Sequence, residues 1–339
     1  MHKPKRNNLI DALRFFAAVS VAIFHGYRSD SRPDNLYTHI FYGYGNLGVP
    51  MFFVISGYCI LIALDHSKTS SAFIIRRFFR IFPPYWFSLL FTLGIILFLK
   101  VLTGANSVAA LPKTAPDIAL TAGLLTQPIT KTAFINWVYW TLPYEMLFYV
   151  AVFLCSFLKN NYFTLLLILI TACSCIIPPA DTGFLSFFKL WPVFSIGSAL
   201  FKLLHNDRPK QWLNVLFFCV SALAFYRAGQ SLPYIVVSLL TLTLITIGHY
   251  FPLRDNKISR LGDLSYAIYL LHVPFMVYLF SRFRDNPPIK GNGLYNVLLD
   301  AVLLLATVFL AKAMHNYVEL PLINYGKKLV KGKQAALDN

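Results

Sequence analysis

Ten stretches of about 20 mostly apolar residues follow one another along this chain, and they constrain its fold more than any other feature. A helix of that length crosses the hydrocarbon core of a lipid bilayer. Helices are the fitting element, because a backbone inside hydrocarbon must satisfy its own hydrogen bonds. The stretches cover residues 9–27, 47–65, 82–102, 137–158, 162–178, 184–204, 212–227, 231–250, 263–282 and 296–318. The sequence therefore predicts an all-α polytopic membrane protein with about ten transmembrane helices.

The composition supports a membrane protein and excludes two other classes. Hydrophobic residues make up 57% of the 339 residues and charged residues only 13%, whereas a soluble domain carries roughly 25% charged residues. The net charge of +16 raises the question of nucleic-acid binding. However, the basic residues lie in the gaps between apolar stretches and not in one run with interleaved aromatic residues, so we expect no nucleic-acid partner.

The five cysteines indicate neither a disulfide framework nor a metal site. All of them lie within apolar stretches, where a free thiol usually packs in the interior: Cys59, Cys155, Cys173, Cys175 and Cys219. Cys173 and Cys175 have no further ligands at the spacing of a metal site, so no metal is expected.

The distribution of lysine and arginine predicts that both termini lie in the cytoplasm. Ten crossings place the two termini on the same side of the membrane. If that side is the cytoplasm, the cytoplasmic segments hold 18 of the 30 lysines and arginines and the outer segments hold ten. Cytoplasmic loops of membrane proteins carry the excess of basic residues, so the distribution favours an N-in and C-in topology.

The first stretch, IDALRFFAAVSVAIFHGYR, contains three titratable residues that are costly in hydrocarbon. Asp11 and Arg14 argue against a signal peptide, whose apolar core excludes charge. Arg14 and His25 lie on nearly the same helix face, about 16 Å apart along the axis, and Asp11 can pair with Arg14. Two interpretations stay open: a functional pair, or a snorkelling arginine with an aspartate partner and an interfacial histidine.

A cluster of arginines precedes the third stretch, in the segment RRFFRIFPPYW. Arg77 and Arg80 are three residues apart and share a helix face. A guanidinium pair suits a phosphate-bearing ligand, and Arg76 adjoins the pair. The alternative is that the cluster anchors the chain on the cytoplasmic side and binds anionic lipid heads.

The fourth stretch, NWVYWTLPYEMLFY, combines interfacial aromatic residues with an acid. Trp137, Tyr139 and Trp140 mark its outer interface, and Glu145 lies about two turns deeper. A carboxylate at that depth is hard to explain as packing and suits proton transfer.

The ninth stretch, GDLSYAIYLLHVPF, holds His272 at mid-span, with Asp263 and Ser265 near its cytoplasmic start. A lone histidine in a helix bundle can simply hydrogen-bond a neighbouring helix, and this alternative stays open for His272. Glu319 follows the tenth stretch and precedes Pro321, where a solvated helix end accounts for it.

The depths of these residues suggest a path across the membrane. Toward the cytoplasm lie Arg14, Arg76, Arg77, Arg80, Ser265 and Glu319, and in the outer half lie His25 and Glu145. We expect a basic cytoplasmic mouth that leads to a pair formed by His25 and Glu145.

Taken together, these motifs resemble the acyltransferase-3 family of integral membrane O-acyltransferases. Arg14 and His25 match its Arg-x10-His signature, and RRFFRIFPPYW is similar to its Arg-x-x-Arg and Pro-Pro-Tyr segment. Trp140, Glu145 and Tyr149 match its Trp-x4-Glu-x3-Tyr segment. The other matches are GVPMFFVISGY at 48–58, SYAIYLLH at 265–272 and VELP at 318–321. Six short motifs in the family's order make the resemblance specific.

The resemblance implies a single transmembrane acyltransferase domain over residues 9–325. Short basic cytoplasmic tails at 1–8 and 326–339 flank it, in a bacterial cytoplasmic (inner) membrane. It implies transfer of an acyl group, usually acetyl, from cytoplasmic acyl-CoA as co-substrate. The acceptor is a hydroxyl of a cell-surface or exported glycan, such as an exopolysaccharide or a lipopolysaccharide O-antigen, or of its lipid-linked precursor.

The resemblance also implies roles for the individual residues. His25 and Glu145 are the expected catalytic residues, and Arg14, Arg77 and Arg80 are expected to hold the phosphate-rich head of acyl-CoA. The residues expected to support them are Asp11, Arg76, Trp140, Tyr149, Ser265, His272 and Glu319. Two alternatives of a different class stay open, namely a transporter or lipid flippase and a non-catalytic subunit of a polysaccharide-synthesis complex. The oligomeric state is open as well.

Overall fold

The computed structural model describes residues 7–26, 35–104, 111–158, 161–205, 211–280, 283, 286 and 289–335. Within these ranges the chain is helical and contains no β-strand, which confirms the all-α fold that the apolar stretches predict. Most of the predicted N-terminal tail (1–8) and the last four residues of the predicted C-terminal tail lie outside the described residues.

Thirteen α-helices make up most of the described chain. They are α1 (Asn8–Gly26), α2 (Gly48–Asp65), α3 (Ser70–Thr103), α4 (Ala115–Ala122), α5 (Thr141–Cys155), α6 (Asn161–Ile176), α7 (Trp191–His205), α8 (Gln211–Arg227), α9 (Leu232–Tyr250), α10 (Lys257–Leu261), α11 (Ser265–His272), α12 (Gly293–Met314) and α13 (Leu320–Ala335). Short 3-10 segments at Trp137–Trp140 and Gly262–Leu264 lead into α5 and α11. π-Helical segments at Val273–Leu279 and His315–Glu319 extend α11 and α12.

Each of the ten predicted spans coincides with helical structure in the described residues. Six helical segments are long and apolar enough to cross a membrane: Asn8–Gly26, Gly45–Asp65, Ser70–Thr103, Trp137–Cys155, Leu232–Tyr250 and Gly293–Gly332. Helix α6 is apolar but shorter. The full number of ten crossings and the N-in, C-in orientation therefore stay predictions.

Helix α3 begins well before the predicted third span and includes the arginine cluster. The Thr69 hydroxyl caps the helix by accepting a hydrogen bond from the Ala72 amide at 3.1 Å. At the other end, Gly104 adopts a left-handed φ of 64°, which glycine tolerates best. Arg77 and Arg80 therefore lie on the second and third turns of a 34-residue helix, in agreement with the shared helix face that their spacing predicts.

Helix α1 lies inside the bundle, where it packs against α2, α9, α10, α11 and α12. Ala17, Ala18, Val21 and Ala22 on this helix are completely buried. Small residues let neighbouring helix backbones approach closely. Arg14 and His25, which α1 carries about 16 Å apart along its axis, are therefore held within the protein.

Two glycines fix the crossing of α2 and α7. A Cβ atom added to Gly57 would lie 2.0 Å from the Phe194 carbonyl oxygen, and one added to Gly197 would lie 2.1 Å from the Val54 carbonyl oxygen. The Ser198 hydroxyl donates a hydrogen bond to the Gly57 carbonyl oxygen at 2.8 Å. These contacts hold α2 against α7 and leave another face of α2 available to line a cavity.

Helical structure continues beyond the tenth predicted span. The segment His315–Glu319 connects α12 directly to α13, which reaches Ala335, so much of the predicted C-terminal tail (326–339) is helical. Helix α13 packs against α3, where Gly326 lies against the ring of Phe79.

Candidate active site

An elongated cavity of about 370 Å³ lies between α1, α2, α3, α5 and α11. One stripe of α2 and the residue after it line the cavity from end to end, with residues three or four apart: Val49, Phe52, Ser56, Cys59, Ala63 and His66. At 1.5 Å per helical residue, this stripe is about 25 Å long. The cavity can therefore take a long, thin ligand.

Three arginines line the cavity close to one another. Arg14 from α1 and Arg77 and Arg80 from α3 all lie within electrostatic range of the Cys59 thiol. Within the described chain, the guanidinium groups of Arg14 and Arg80 form no hydrogen bond or ion pair, and that of Arg77 only covers aromatic rings, 5.3 Å from that of Tyr149 and 5.9 Å from that of Phe73. Asp11 and Glu145 lie within electrostatic range of these arginines, but buried cations are costly unless they are also hydrogen-bonded, so this part of the cavity suits an anionic ligand.

Asp11 lines the same cavity and lies within electrostatic range of Arg14. The two side chains therefore attract each other, although no direct ion pair joins them within the described residues. A spacing of three residues allows such a pair but does not enforce it. The Asp11 backbone carbonyl oxygen instead lies against Gly262, where a Cβ atom would come within 2.2 Å.

Glu145 lies at the arginine cavity and not beside His25. Its carboxylate accepts a hydrogen bond from the Ser56 hydroxyl at 3.0 Å and another from the Tyr149 hydroxyl. The expectation of a pair formed by His25 and Glu145 is therefore wrong. Spacing from the interfacial tryptophans gives depth along α5 alone, whereas the partner of Glu145 depends on how α5 crosses α2.

His25 pairs instead with the predicted supporting residue His272. The Nδ1 atom of His25 lies 3.0 Å from the Nε2 atom of His272. The two ring planes are inclined by 13°, and their centroids are 5.2 Å apart. His272 is fully buried, and its Nδ1 atom lies 3.1 Å from the Ile268 carbonyl oxygen. The edge of the Trp137 ring lies against His25, at a centroid distance of 6.2 Å.

Tyr269 connects the cavity to the histidine pair. Tyr269 lines the cavity, and its ring centroid lies 5.8 Å from that of His272, one helical turn further along the chain. The Tyr269 hydroxyl donates to the Val138 carbonyl oxygen at 2.7 Å and lies 2.8 Å from the Thr141 hydroxyl. The arginine cavity and the histidine pair are therefore adjacent parts of one site.

The structure gives three of the supporting residues different surroundings. Tyr149 lies in the cavity wall, between Glu145 and Arg77. Arg76 does not line the cavity, and its Nη1 atom donates to the His66 carbonyl oxygen at 3.1 Å. Trp140 packs edge-on against Phe53, which lines the cavity.

Ser265 and Glu319 are buried, and the expectation of a solvated helix end at Glu319 is wrong. The Glu319 side chain is 4% exposed and its Oε2 atom lies 2.8 Å from His315 Nδ1. The helix does not end there, because it continues into α13. Among the described residues, the Ser265 Oγ and Glu319 Oε1 atoms have no hydrogen-bond partner.

Four residues of the site were missed in the sequence reasoning. Ser56 and Cys59 follow one another at helical spacing inside an apolar stretch, which is a weak sign of a polar wall. Tyr266 and Tyr269 precede His272 at intervals of three residues and line the cavity. The spacing of three residues within each pair was the sequence feature that could have indicated a shared helix face.

Comparison with known proteins gives two matches that cover most of the chain. The sequence model of the acyltransferase-3 family, described as an acyltransferase domain, matches residues 7–314. A protein of Shigella phage Sf6 described as an O-acetyl transferase is 27% identical over 339 residues, covering 94% of this chain and 96% of that protein. No solved structure matches the chain. The range matched by the family contains every candidate residue except Glu319.

Proposed function

The chain belongs to the acyltransferase-3 family, and from this premise we propose that it transfers an acetyl group from acyl-CoA to a glycan hydroxyl. The acceptor is a cell-surface or exported glycan or its lipid-linked precursor. The similarity to a phage O-acetyl transferase supports acetyl as the group transferred and an oxygen as its acceptor. Helices long and apolar enough to cross a membrane support transfer at a membrane.

The observation that carries the proposed donor is the three guanidinium groups that face the elongated cavity. Acyl-CoA combines a phosphate-rich head with a long, thin arm that ends in a thioester. Arg14, Arg77 and Arg80 provide the forked donors that phosphate oxygens accept. From Cys59, beside the arginines, to Val49, the stripe of α2 provides about 15 Å of wall for the arm. Phe52 and Tyr269 lie toward the end that adjoins the histidine pair.

In the proposed reaction, His25 is the general base, because a sugar hydroxyl is a poor nucleophile at neutral pH. An imidazole nitrogen takes the hydroxyl proton as the oxygen attacks the thioester carbonyl carbon. The carbon–sulfur bond then breaks, and the departing thiolate takes the proton from His25. A route through an acyl-histidine intermediate uses the same side chain as nucleophile. Glu145 acts at the donor end, since it holds Ser56 and Tyr149 beside the arginines.

Replacement of His25 tests this assignment. In cells that make the acceptor glycan, His25→Ala is expected to abolish O-acetylation, measured by mass spectrometry of the glycan at matched levels of protein in the membrane. The exposed His39 serves as the control, and His39→Ala is expected to leave acetylation in place. Unchanged acetylation in His25→Ala would remove this residue from the chemistry.

A second assay separates an enzyme from a transporter. Purified wild-type protein in lipid vesicles is expected to hydrolyse acetyl-CoA slowly, with water in place of the sugar hydroxyl. The His25→Ala protein is expected to lose that activity. Movement of substrate across the vesicle membrane without any cleavage of the thioester would favour a transporter.

A further inference from the structure

We infer that His272 is a positioning residue that fixes the tautomer of His25, so that Nε2 of His25 is the nitrogen that accepts the proton. The inference concerns hydrogen bonds between α1 and α11, and its catalytic consequence rests on the proposed function. Three steps of hydrogen-bond chemistry lead to it.

The first step fixes the proton on His272. Its Nδ1 atom lies 3.1 Å from the Ile268 carbonyl oxygen. A carbonyl oxygen can only accept a hydrogen bond, so Nδ1 of His272 must carry a hydrogen. The residue is completely buried, and no carboxylate contacts it among the described residues. A charged ring there would lack a counter-ion, so His272 is neutral and its Nε2 atom has a free lone pair.

The second step fixes the proton on His25. The two facing nitrogens are 3.0 Å apart, and the ring centroids are 5.2 Å apart with nearly parallel planes. The distance between the two ring centroids is longer than the distance between the facing nitrogens by about the width of one imidazole ring. This is the difference expected when each nitrogen lies on the line that joins the two centroids. The nitrogens therefore point at each other in the ring planes, as in a hydrogen bond, and the rings do not stack face to face. Since Nε2 of His272 accepts, Nδ1 of His25 must donate.

The third step concerns the reaction. A neutral imidazole with hydrogen on Nδ1 has its basic lone pair on Nε2. When Nε2 of His25 takes the hydroxyl proton, the oxygen–hydrogen bond breaks and a nitrogen–hydrogen bond forms. The Nδ1–H group continues to donate to His272, which holds the imidazolium in place. A base oriented by a third group is a general feature of activated nucleophiles, and here the third group is a neutral histidine.

Two variants of His272 distinguish positioning from packing. His272→Gln places an amide carbonyl oxygen where it can accept from His25 Nδ1–H, whereas His272→Leu offers a side chain of similar reach with no acceptor. The transfer rate is expected to fall roughly a hundredfold or more in His272→Leu, with little change in the KM for acetyl-CoA. His272→Gln is expected to recover a substantial part of that rate.

The deciding measurement is 15N NMR of the full-length protein in lipid vesicles with 15N-labelled histidine. The His25 signals are identified by their loss in His25→Asn. In the wild type we expect a protonated Nδ1 and an unprotonated Nε2, retained in His272→Gln and lost in His272→Leu. A wild-type His25 with hydrogen on Nε2 would overturn the inference, as would an unchanged tautomer in a folded His272→Leu protein.

This measurement does not depend on catalysis, so the two proposals can fail separately. A wild-type protein with the expected tautomer but no acetyl transfer would contradict the proposed function and leave the hydrogen-bond assignment intact. The wild-type spectrum also tests the inference if His272→Leu fails to fold.

Discussion

Single arginine side chains decide whether the cavity can hold an anion. Arg14, Arg77 and Arg80 line it, together with the acids Asp11 and Glu145. Glu145 is already engaged by two hydroxyl donors, whereas the guanidinium groups of Arg14 and Arg80 form no hydrogen bond within the described chain. The donors that still need a partner are therefore the guanidinium N–H groups, and a negatively charged ligand would accept their hydrogen bonds.

Arg80 provides the sharpest test at this scale, because Arg76 on the same helix is a matched control. Arg80→Gln removes a cation from the cavity wall and is expected to weaken acyl-CoA binding by about 1.5–3 kcal/mol, or roughly 10- to 150-fold. Arg76 does not line the cavity, and its side chain donates to the His66 carbonyl oxygen, so Arg76→Gln is expected to change binding little. Calorimetric titration of purified protein measures both, and equal losses would point to a general surface-charge effect.

The sequence singles out the charged and histidine residues that line or adjoin the cavity, but it identifies neither the partner of each residue nor the neutral lining residues Ser56, Cys59, Tyr266 and Tyr269. Arg14 and His25 are recognisable because titratable residues are rare in apolar stretches. The partner of His25 lies 247 residues away in sequence, on α11. That pairing depends on which helices cross and at what depth, and periodicity within one helix carries no such information. Glu145 shows the same limit, since its partner Ser56 comes from α2.

At the scale of helices, α2 has two functions that depend on each other. One stripe of it forms the long wall of the cavity. Another face packs against α7 through Gly57 and Gly197, whose missing side chains allow the two backbones to touch. A change that pushes α2 away from α7 is therefore expected to disturb the cavity as well as the stability of the bundle.

Gly57→Ala and Gly197→Ala test this helix contact. Each added methyl group would lie about 2 Å from a backbone carbonyl oxygen, and we expect losses of roughly 1–3 kcal/mol in stability, measured as lower thermal unfolding temperatures in detergent. Gly94→Ala is the control, because no atom lies within 4 Å of its added Cβ. It is expected to be neutral or slightly stabilising, since alanine favours helix. Tolerance of both substitutions would show that the crossing is less tight than described.

The existence of helices followed from the sequence, but some of their ends did not. Hydropathy places the start of the third span near residue 82, whereas the Thr69 cap starts α3 at Ser70. The charged and polar residues between those points lower the hydropathy without preventing helix formation. The same holds after residue 318, where α13 continues the helical path through a lysine-rich segment. Hydropathy indicates which part of a helix can lie in lipid, but it does not indicate where the backbone hydrogen bonds of that helix end.

At the scale of the whole molecule, Arg14 and His25 lie at different positions along α1. The orientation of the protein in the membrane therefore decides which part of the site faces the cytoplasm. The arginine end of α1 packs near α10, since Gly262 lies against Asp11. His25 lies about 16 Å further along the helix axis. If acyl-CoA comes from the cytoplasm, the end of α1 that carries Arg14 must face the cytoplasm. The excess of lysine and arginine predicts that orientation, with both termini inside.

Cysteine labelling in intact cells tests the orientation directly. Lys257→Cys, at the start of α10, and Lys113→Cys, before α4, place thiols at two exposed positions. We introduce them separately into a protein whose five native cysteines are replaced. A maleimide that cannot cross the membrane is expected to label Lys113→Cys in intact cells. It is expected to label Lys257→Cys only in cells whose membrane has been opened.

The cysteine-free parent must retain glycan acetylation, because Cys59 lines the cavity and its replacement could disturb donor binding. Given an active parent, the two labelling patterns lead to opposite conclusions about the donor. The expected pattern places the arginine end of the cavity on the side where acyl-CoA is available. The reverse pattern would place Arg14, Arg77 and Arg80 on the outer side, where no acyl-CoA is supplied, and would contradict the assignment of these residues to the donor even if His25 proved essential.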